Sequence, residues 1–158
     1  MVRSFCSDDI PAMLDIWNEI VNEGNAFPQD EPLDEKGGLS FFSAQSYTGV
    51  AIRNDGIAGL YILHPNNVGR CSHIANASYA VSSRMRGQHI GEELVKDSLR
   101  AAKELGFRIL QFNAVVKTNI PAHRLYKKLG FIPLGEIKGG FRGKDGRYED
   151  IIPYYIEL

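Results

Sequence analysis

The chain is poor in cysteine, nearly neutral and without a long apolar run, and each shortage excludes something. Its two cysteines, Cys6 and Cys71, have neither metal-ligand spacing nor the density of a disulfide framework, so no metal and no staple is expected. Both fall in strand-like runs and read as buried or half-buried thiols. Basic and acidic residues number 18 and 19, a net charge of −1. That balance lacks the surplus that draws a protein to nucleic acid or a membrane surface, and neither partner is expected. No stretch reaches the roughly 18 apolar residues of a membrane span, and the N-terminus has no signal-like pattern, so a cytoplasmic setting is expected. Repeats and low-complexity linkers are missing as well. Residues 1–158 therefore read as a single domain, long enough to bury about two thirds of its unfolded surface.

What is present is a regular succession of elements. Residues 2–6 read as a strand, with Ser7 or Asp8 as the cap of the following helix and Pro11 tolerated in its first turn. Ile10, Met13, Leu14, Trp17, Ile20 and Val21 recur at helical spacing up to Gly24, and that stripe is core. The turn-rich loop 25–32 carries one large apolar residue, Phe27, which either plugs the core or faces a substrate. A weaker helix at 33–45, interrupted by Gly37 and Gly38, precedes strands at 47–53, 57–63 and 72–82. Asn54-Asp55-Gly56 suits a hairpin between the first two strands. The clearest helix begins near His89. Ile90, Leu94, Val95, Leu99, Ala102 and Leu105 form its apolar face, and Gly106 with Phe107 its end. A strand at 108–116, a helix at 119–129 and strands at 131–141 and 147–157 follow. This order predicts an α/β (α+β) domain, a mixed sheet with helices on both faces.

The stretch Arg86-Gly87-Gln88-His89-Ile90-Gly91 lies between a strand and a helix start. Backbone N–H groups without an intrahelical acceptor, the positive end of the helix dipole, and Arg84 and Arg86 together make an anion site, so a phosphate-bearing ligand is expected. The stretch is not a Walker loop, which needs Gly-Lys-Ser/Thr, nor a Rossmann fingerprint, because only Gly87 and Gly91 are present. Read as Arg/Gln-x-x-Gly-x-Gly/Ala, with His89 in place of the first glycine, it resembles the pyrophosphate-binding turn of the GNAT acetyltransferase superfamily. Asn119, Ala122, Leu125, Tyr126, Gly130 and Phe131 have the spacing of the last helix in that family's core. The resemblance covers nearly the whole chain. It implies the GNAT fold, a mostly antiparallel sheet of six to seven strands with splayed central strands, and acetyl-CoA as cosubstrate.

On that resemblance, Arg86, Gly87, Gln88, His89, Ile90 and Gly91 cradle the coenzyme's diphosphate. The Val81 backbone N–H polarises the thioester carbonyl, an interaction commonly worth about 3 kcal/mol, and Asn119 and Tyr126 meet the coenzyme arm. Asn119 also suits a helix cap, and the two roles coexist. Tyr126 is either a core aromatic or a proton donor to the leaving thiolate. The thiol has a pKa of about 8.5 and a tyrosine one near 10, a small mismatch for proton sharing. Lys117, Arg124, Lys127 and Lys128 either meet the 3′-phosphate or form a solvated face. His89 keeps its backbone N–H with its side chain outward and is not read as catalytic.

The runs 65–77 and 112–119 resemble the yeast proline-analogue N-acetyltransferases, which acetylate azetidine-2-carboxylate; they carry tryptophan where this chain has Tyr126. That likeness implies Asn76 and Asn113 as substrate-binding residues beside Phe27. Interior carboxamides equally suit a bridge between splayed strands. His73 reads as a core histidine. Spacing singles out no general base, although Glu23, Asp30 and Glu31 lie where the substrate loop is expected. The implied activity is direct acetyl transfer from acetyl-CoA to the amine of a small molecule, an amino acid or proline analogue, and a homodimer is an assembly the family implies. Two alternatives stand beside it. One is a phosphinothricin- or antibiotic-type amine acetyltransferase, suggested by the first helix followed by Asn25-Ala26-Phe27. The other is a non-catalytic acyl-CoA sensor of the same fold.

Overall fold

The computed structural model describes residues 1–54 and 56–158. In chain order these form β1 (Val2–Ser4), α1 (Ile10–Glu23), α2 (Glu35–Ser43), β2 (Tyr47–Arg53), β3 (Gly56–Pro65), β4 (Ile74–Val81), α3 (Ile90–Glu104), β5 (Ile109–Val116), α4 (Ile120–Lys128), β6 (Ile132–Pro133), β7 (Ile137–Arg142) and β8 (Tyr148–Glu157). The sheet runs β1-β2-β3-β4-β5-β8-β6, with β7 also on β8. Every pairing is antiparallel except β4 with β5. The expected hairpin closes with Arg53 opposite Gly56; Asp55 of its turn lies outside the described residues.

Helices cover both faces of the sheet, and β3 shows why. Leu60 and Ile62 point to α1 and α2, where Met13 and Trp17 of α1 and Phe42 of α2 complete one core. Tyr61 and Leu63 point the other way, to Leu94, Val95 and Ala102 of α3. Side chains alternate along a strand, so a central strand covered on both faces reads as a continuous apolar run. Gly49 sits directly opposite Tyr61, and a Cβ there would overlap the tyrosine ring.

Several expectations are corrected. The sheet has eight strands among the described residues, because 131–141 breaks into β6 and β7. Pro133 cannot donate to a ladder, and Gly135 turns the chain with φ 125. The residue before α1 is Asp9 instead of Ser7 or Asp8, and its side chain makes no capping bond to α1 but closes the preceding 3-10 turn (Ser7–Asp9). Its carboxylate accepts from the Cys6 N–H at 2.8 Å and pairs with Arg3 at 2.6 and 2.9 Å. Cys6 and Cys71 are both exposed free thiols, since each belongs to the edge of a 3-10 turn and not to a strand. His73 precedes β4 and is exposed, not core. Leu105 is 49% exposed because α3 stops at Glu104, and Ser98 and Ala101 take the buried positions instead. The end of α3 is otherwise as expected, with Gly106 at φ 86 and the Phe107 N–H on the Ala102 carbonyl at 3.0 Å.

One feature places the site. The parallel pairing of β4 with β5 consists of Ile74 opposite Ile109 and Ala75 opposite Leu110. Beyond those pairs the two strands diverge.

Candidate active site

Backbone direction along β4 follows from two hydrogen bonds. The Ser82 N–H donates to the Ala58 carbonyl at 3.0 Å, and the Ile74 carbonyl accepts from the Asn66 N–H at 2.7 Å. Even-numbered residues of β4 thus face β3. Alternation turns the N–H and C=O of Ala77, Tyr79 and Val81 toward the gap, where no strand follows. The Asn76 carboxamide spans the mouth of the divergence, donating to the Gln111 carbonyl at 3.0 Å.

The gap opens into a cavity of about 160 Å³ walled by β4, β5 and the α4 residues Asn119, Ala122 and Tyr126, with Phe27 and Pro28 at its lip. Five residues singled out in the sequence, Phe27, Asn76, Asn113, Asn119 and Tyr126, therefore share one cavity. Their side chains are committed to different degrees. Asn119 caps α4, its Oδ1 accepting from the Ala122 N–H at 3.3 Å. Asn113 donates to Asn66 at 2.6 Å and accepts from Gln111 at 3.1 Å. Phe27 is a core plug, packed with its ring tilted against Trp17 at 4.5 Å, that also borders a second cavity of about 480 Å³ beneath the β7–β8 hairpin. The core-plug expectation for Phe27 is thereby met, and the residue also borders both cavities.

Tyr126 is held by ring contacts with Phe112 at 4.5 Å, Phe131 at 5.5 Å and Tyr154 at 5.7 Å. Burial, and secondarily Tyr154, push its pKa well above the ordinary tyrosine value. The small mismatch with a thiol expected from the sequence is therefore not kept. With its pKa raised, this hydroxyl stays protonated throughout the neutral range and is available as a hydrogen-bond donor.

The turn expected to cradle an anion follows β4 after a 3-10 turn at Ser83–Met85. Gly87 takes φ 81 and His89 φ 60, and the first intrahelical bond of α3 runs from the Glu93 N–H to the His89 carbonyl at 3.2 Å. The N–H groups of Ile90, Gly91 and Glu92 are left to an external acceptor. His89 points outward with 82% of its side chain exposed. A Cβ on Gly91 would come within 3.8 Å of Leu125 and 4.0 Å of Val81, so the cradle, β4 and α4 converge there. Arg86 is paired with Glu23 at the end of α1, at 2.8 Å. The Ser83 N–H donates to Glu19 at 3.2 Å, and hydrogen bonding from the Ser83 side chain, then from its backbone, lowers the Glu19 pKa. Of the four cations considered for a second phosphate, Lys117 is paired with Glu136 at 2.9 Å and Lys128 with Glu92 at 2.6 Å, while Arg124 and Lys127 are exposed.

Among the described residues no carboxylate or imidazole lines the first cavity. Asp30 borders the second, and Glu23 is engaged by Arg86. Among the described residues no three His, Cys, Asp or Glu side chains gather as a cation site, and no helix is long and apolar enough to cross a membrane. The sequence reading missed His123, which is buried one turn before Tyr126; the signal was a histidine at i−3 from the tyrosine, on the same helical face.

Comparison with known proteins agrees with this architecture. Residues 11–131 match the model of the Acetyltransferase (GNAT) family. N-acetyltransferase aca1 of Schizosaccharomyces pombe is 38% identical over 101 residues, 63% of this chain and 48% of that protein, so the chain spans about half the length of that relative. A GCN5-related N-acetyltransferase from Kribbella flavida superposes with a TM-score of 0.91 at 33% identity, covering 100% of this chain and 97% of that one. A phosphinothricin acetyltransferase from Sinorhizobium meliloti, solved in complex with AcCoA, superposes with a TM-score of 0.92 at 22% identity over 100% of this chain and 88% of that one, a likeness of fold. A family model that spans most of the chain, and a solved relative one-third identical along its whole length, show that the chain belongs to the GNAT acetyltransferase family.

Proposed function

We propose that the chain is an acetyl-CoA-dependent N-acetyltransferase acting directly on the amine of a small molecule. One observation carries this reading: the unpaired edge of β4 leads from the N-terminus of α3 into a cavity that holds the Tyr126 ring. The residues present fit the coenzyme. Free N–H groups at Ile90, Gly91 and Glu92 and the Arg86 guanidinium would hold the diphosphate, and the gap-facing groups of Ala77, Tyr79 and Val81 would hold the extended arm. Acetyl-CoA supplies an activated acyl group on a thiol leaving group. The Val81 N–H donates to the carbonyl oxygen as negative charge builds there, a contact commonly worth about 3 kcal/mol. Tyr126 donates to the departing sulfur, and Asn119 fixes the start of the helix that carries it.

With no carboxylate or imidazole among the described residues of the first cavity, the acceptor amine is taken up as its free base. Asn113, at the mouth of the cavity, and Phe27, at its lip, face the acceptor; Asn76 serves chiefly as the bridge between strands. Arg142 and Lys144 beside the second cavity favour an acceptor that also carries an anionic group, as azetidine-2-carboxylate and phosphinothricin both do.

The test is thiol release from acetyl-CoA with azetidine-2-carboxylate, phosphinothricin, spermidine and a short peptide offered separately. Turnover on one of the first two is expected. Tyr126→Phe should lower kcat about tenfold, equivalent to about 1.4 kcal/mol, with acetyl-CoA affinity by calorimetry within about twofold. Normal turnover in that variant refutes the role of Tyr126. Acetyl-CoA binding with silence on all four acceptors would overturn this choice of acceptors and leave an amine outside the panel or a sensor.

A further inference from the structure

Helix α4 carries Tyr126, yet its one buried residue is polar: His123. The two ring nitrogens have different partners. Nε2 lies 3.0 Å from the Val116 carbonyl oxygen, and Nδ1 lies 2.7 Å from the Tyr154 hydroxyl. A carbonyl only accepts, so Nε2 bears the hydrogen and donates to Val116, while Nδ1 and the Tyr154 hydroxyl share the second hydrogen bond. This imidazole ties α4 to the last residue of β5 and to the middle of β8 at once. The other inward side chains of the helix, Ala122, Leu125 and Tyr126, are only partly buried against the core.

Two routes lead from His123 to the reactive tyrosine. The residues are one turn apart on the same helical face, and the Tyr154 ring that His123 fixes packs against Tyr126 at 5.7 Å. Apolar packing would hold a nine-residue helix on the sheet but would leave it free to roll and slide. Two directional hydrogen bonds from one ring set both its depth and its rotation.

We propose that His123 is a positioning residue for Tyr126: by bridging the Val116 carbonyl and the Tyr154 hydroxyl it fixes α4, and so the place of the Tyr126 hydroxyl in the gap between β4 and β5. This inference rests on the proposed role of Tyr126 at the sulfur. His123 touches neither the coenzyme nor the acceptor. Its effect reaches the reaction through geometry alone.

A double-mutant cycle tests it. His123→Gln and, as a milder perturbation, Tyr154→Phe are made in the native chain and in Tyr126→Phe. Turnover is measured by thiol release with whichever of azetidine-2-carboxylate, phosphinothricin or spermidine is consumed fastest. In the native background each substitution should lower kcat about five- to tenfold with the KM for acetyl-CoA within about twofold. In the Tyr126→Phe background it should change kcat less than twofold, while the fall in melting temperature is the same in both. Equal losses of kcat in the two backgrounds would overturn the positioning role, and a KM effect in place of a kcat effect would do so too. An inert Tyr126→Phe substitution would remove the Tyr126 role itself, a distinct failure read from the single variant. A second readout needs no acceptor: the preference for coenzyme A over desulfo-coenzyme A, measured by calorimetry, should shrink severalfold in His123→Gln. An unchanged preference would overturn the proposal.

Discussion

His89 offers the most direct test of the cradle's backbone. It stands at the N-terminal cap of α3 with φ 60 and ψ 13, and its side chain makes no capping hydrogen bond. The imidazole is 82% exposed and reaches only Glu92, at 3.9 Å, so its removal costs almost no packing. Replacing it by alanine or by glycine therefore reads the backbone. A left-handed conformation costs an L-residue about 1–2 kcal/mol. Glycine escapes that cost but loses about 0.4–1 kcal/mol more conformational freedom on folding. The difference leaves His89→Gly more stable than His89→Ala by about 0.5–1 kcal/mol, with the native histidine closer to the alanine variant. For a chain of this size that is a gap of about 1–4 °C in melting temperature. Circular dichroism melts of the two variants, with urea titrations for the free energies, decide it. Alanine equal to or above glycine would show that residue 89 is not held at positive φ in solution, and the account of how the turn tolerates a histidine would fail.

The Asp9 carboxyl is held at about 2 by the Arg3 guanidinium and then by the Cys6 N–H. Because the folded value is depressed, its stabilisation is present above about pH 4 and is lost as the pH falls through about 2. With Arg3 38% exposed, the contribution is about 1–2 kcal/mol. Asp9→Asn should accordingly lower the melting temperature by roughly 3–6 °C at pH 7 and by much less at pH 2; an equal loss at both would place its role elsewhere. For the acceptor, kcat/KM should rise with pH and level off at the titration of the amine itself. The inflection should therefore move upward from an α-amine of pKa about 8 to an alkylamine of about 10.4. One inflection common to both amines would reveal a base on the protein.

Much of this was legible in the sequence, for physical reasons that also mark where legibility ends. The face of α3, the termination of α4 at Gly130 and the anion turn are local patterns, written in spacing of three to four residues and in glycines at positive φ. The gap-facing N–H of Val81 came from resemblance and is supported by the alternation that the Ser82 bond fixes. Exposure was less legible. Cys6, Cys71 and His73 sit in apolar-looking runs, but 3-10 turns and a late start of β4 bring them to the surface. The pairing of Asn76 with Gln111, the Asp9–Arg3 clasp and the raised pKa of Tyr126 each depend on residues brought close only by folding. His123 was passed over because a histidine on a helix of mixed polarity has no period of its own to betray which way it faces.

The divergence of β4 from β5 has a consequence for the mechanics of the molecule. The sheet is two blocks, β1 to β4 and β5 to β8, joined along β4 and β5 by two residue pairs, the Arg108 N–H on the His73 carbonyl, and the Asn76–Gln111 and Asn113–Asn66 bonds. Along β4, amide hydrogens should exchange in a strict alternation, slow at Asn76, Ser78 and Ala80 and fast at Ala77, Tyr79 and Val81, because neighbouring residues belong to a closed seam on one side and an open one on the other. A molecule that enters the slot binds only the native sheet. At a hundredfold excess over its dissociation constant it adds about 2.7 kcal/mol to stability, and it should erase the alternation. On the proposed function, this sparsely paired seam is thus also the seam the coenzyme would close.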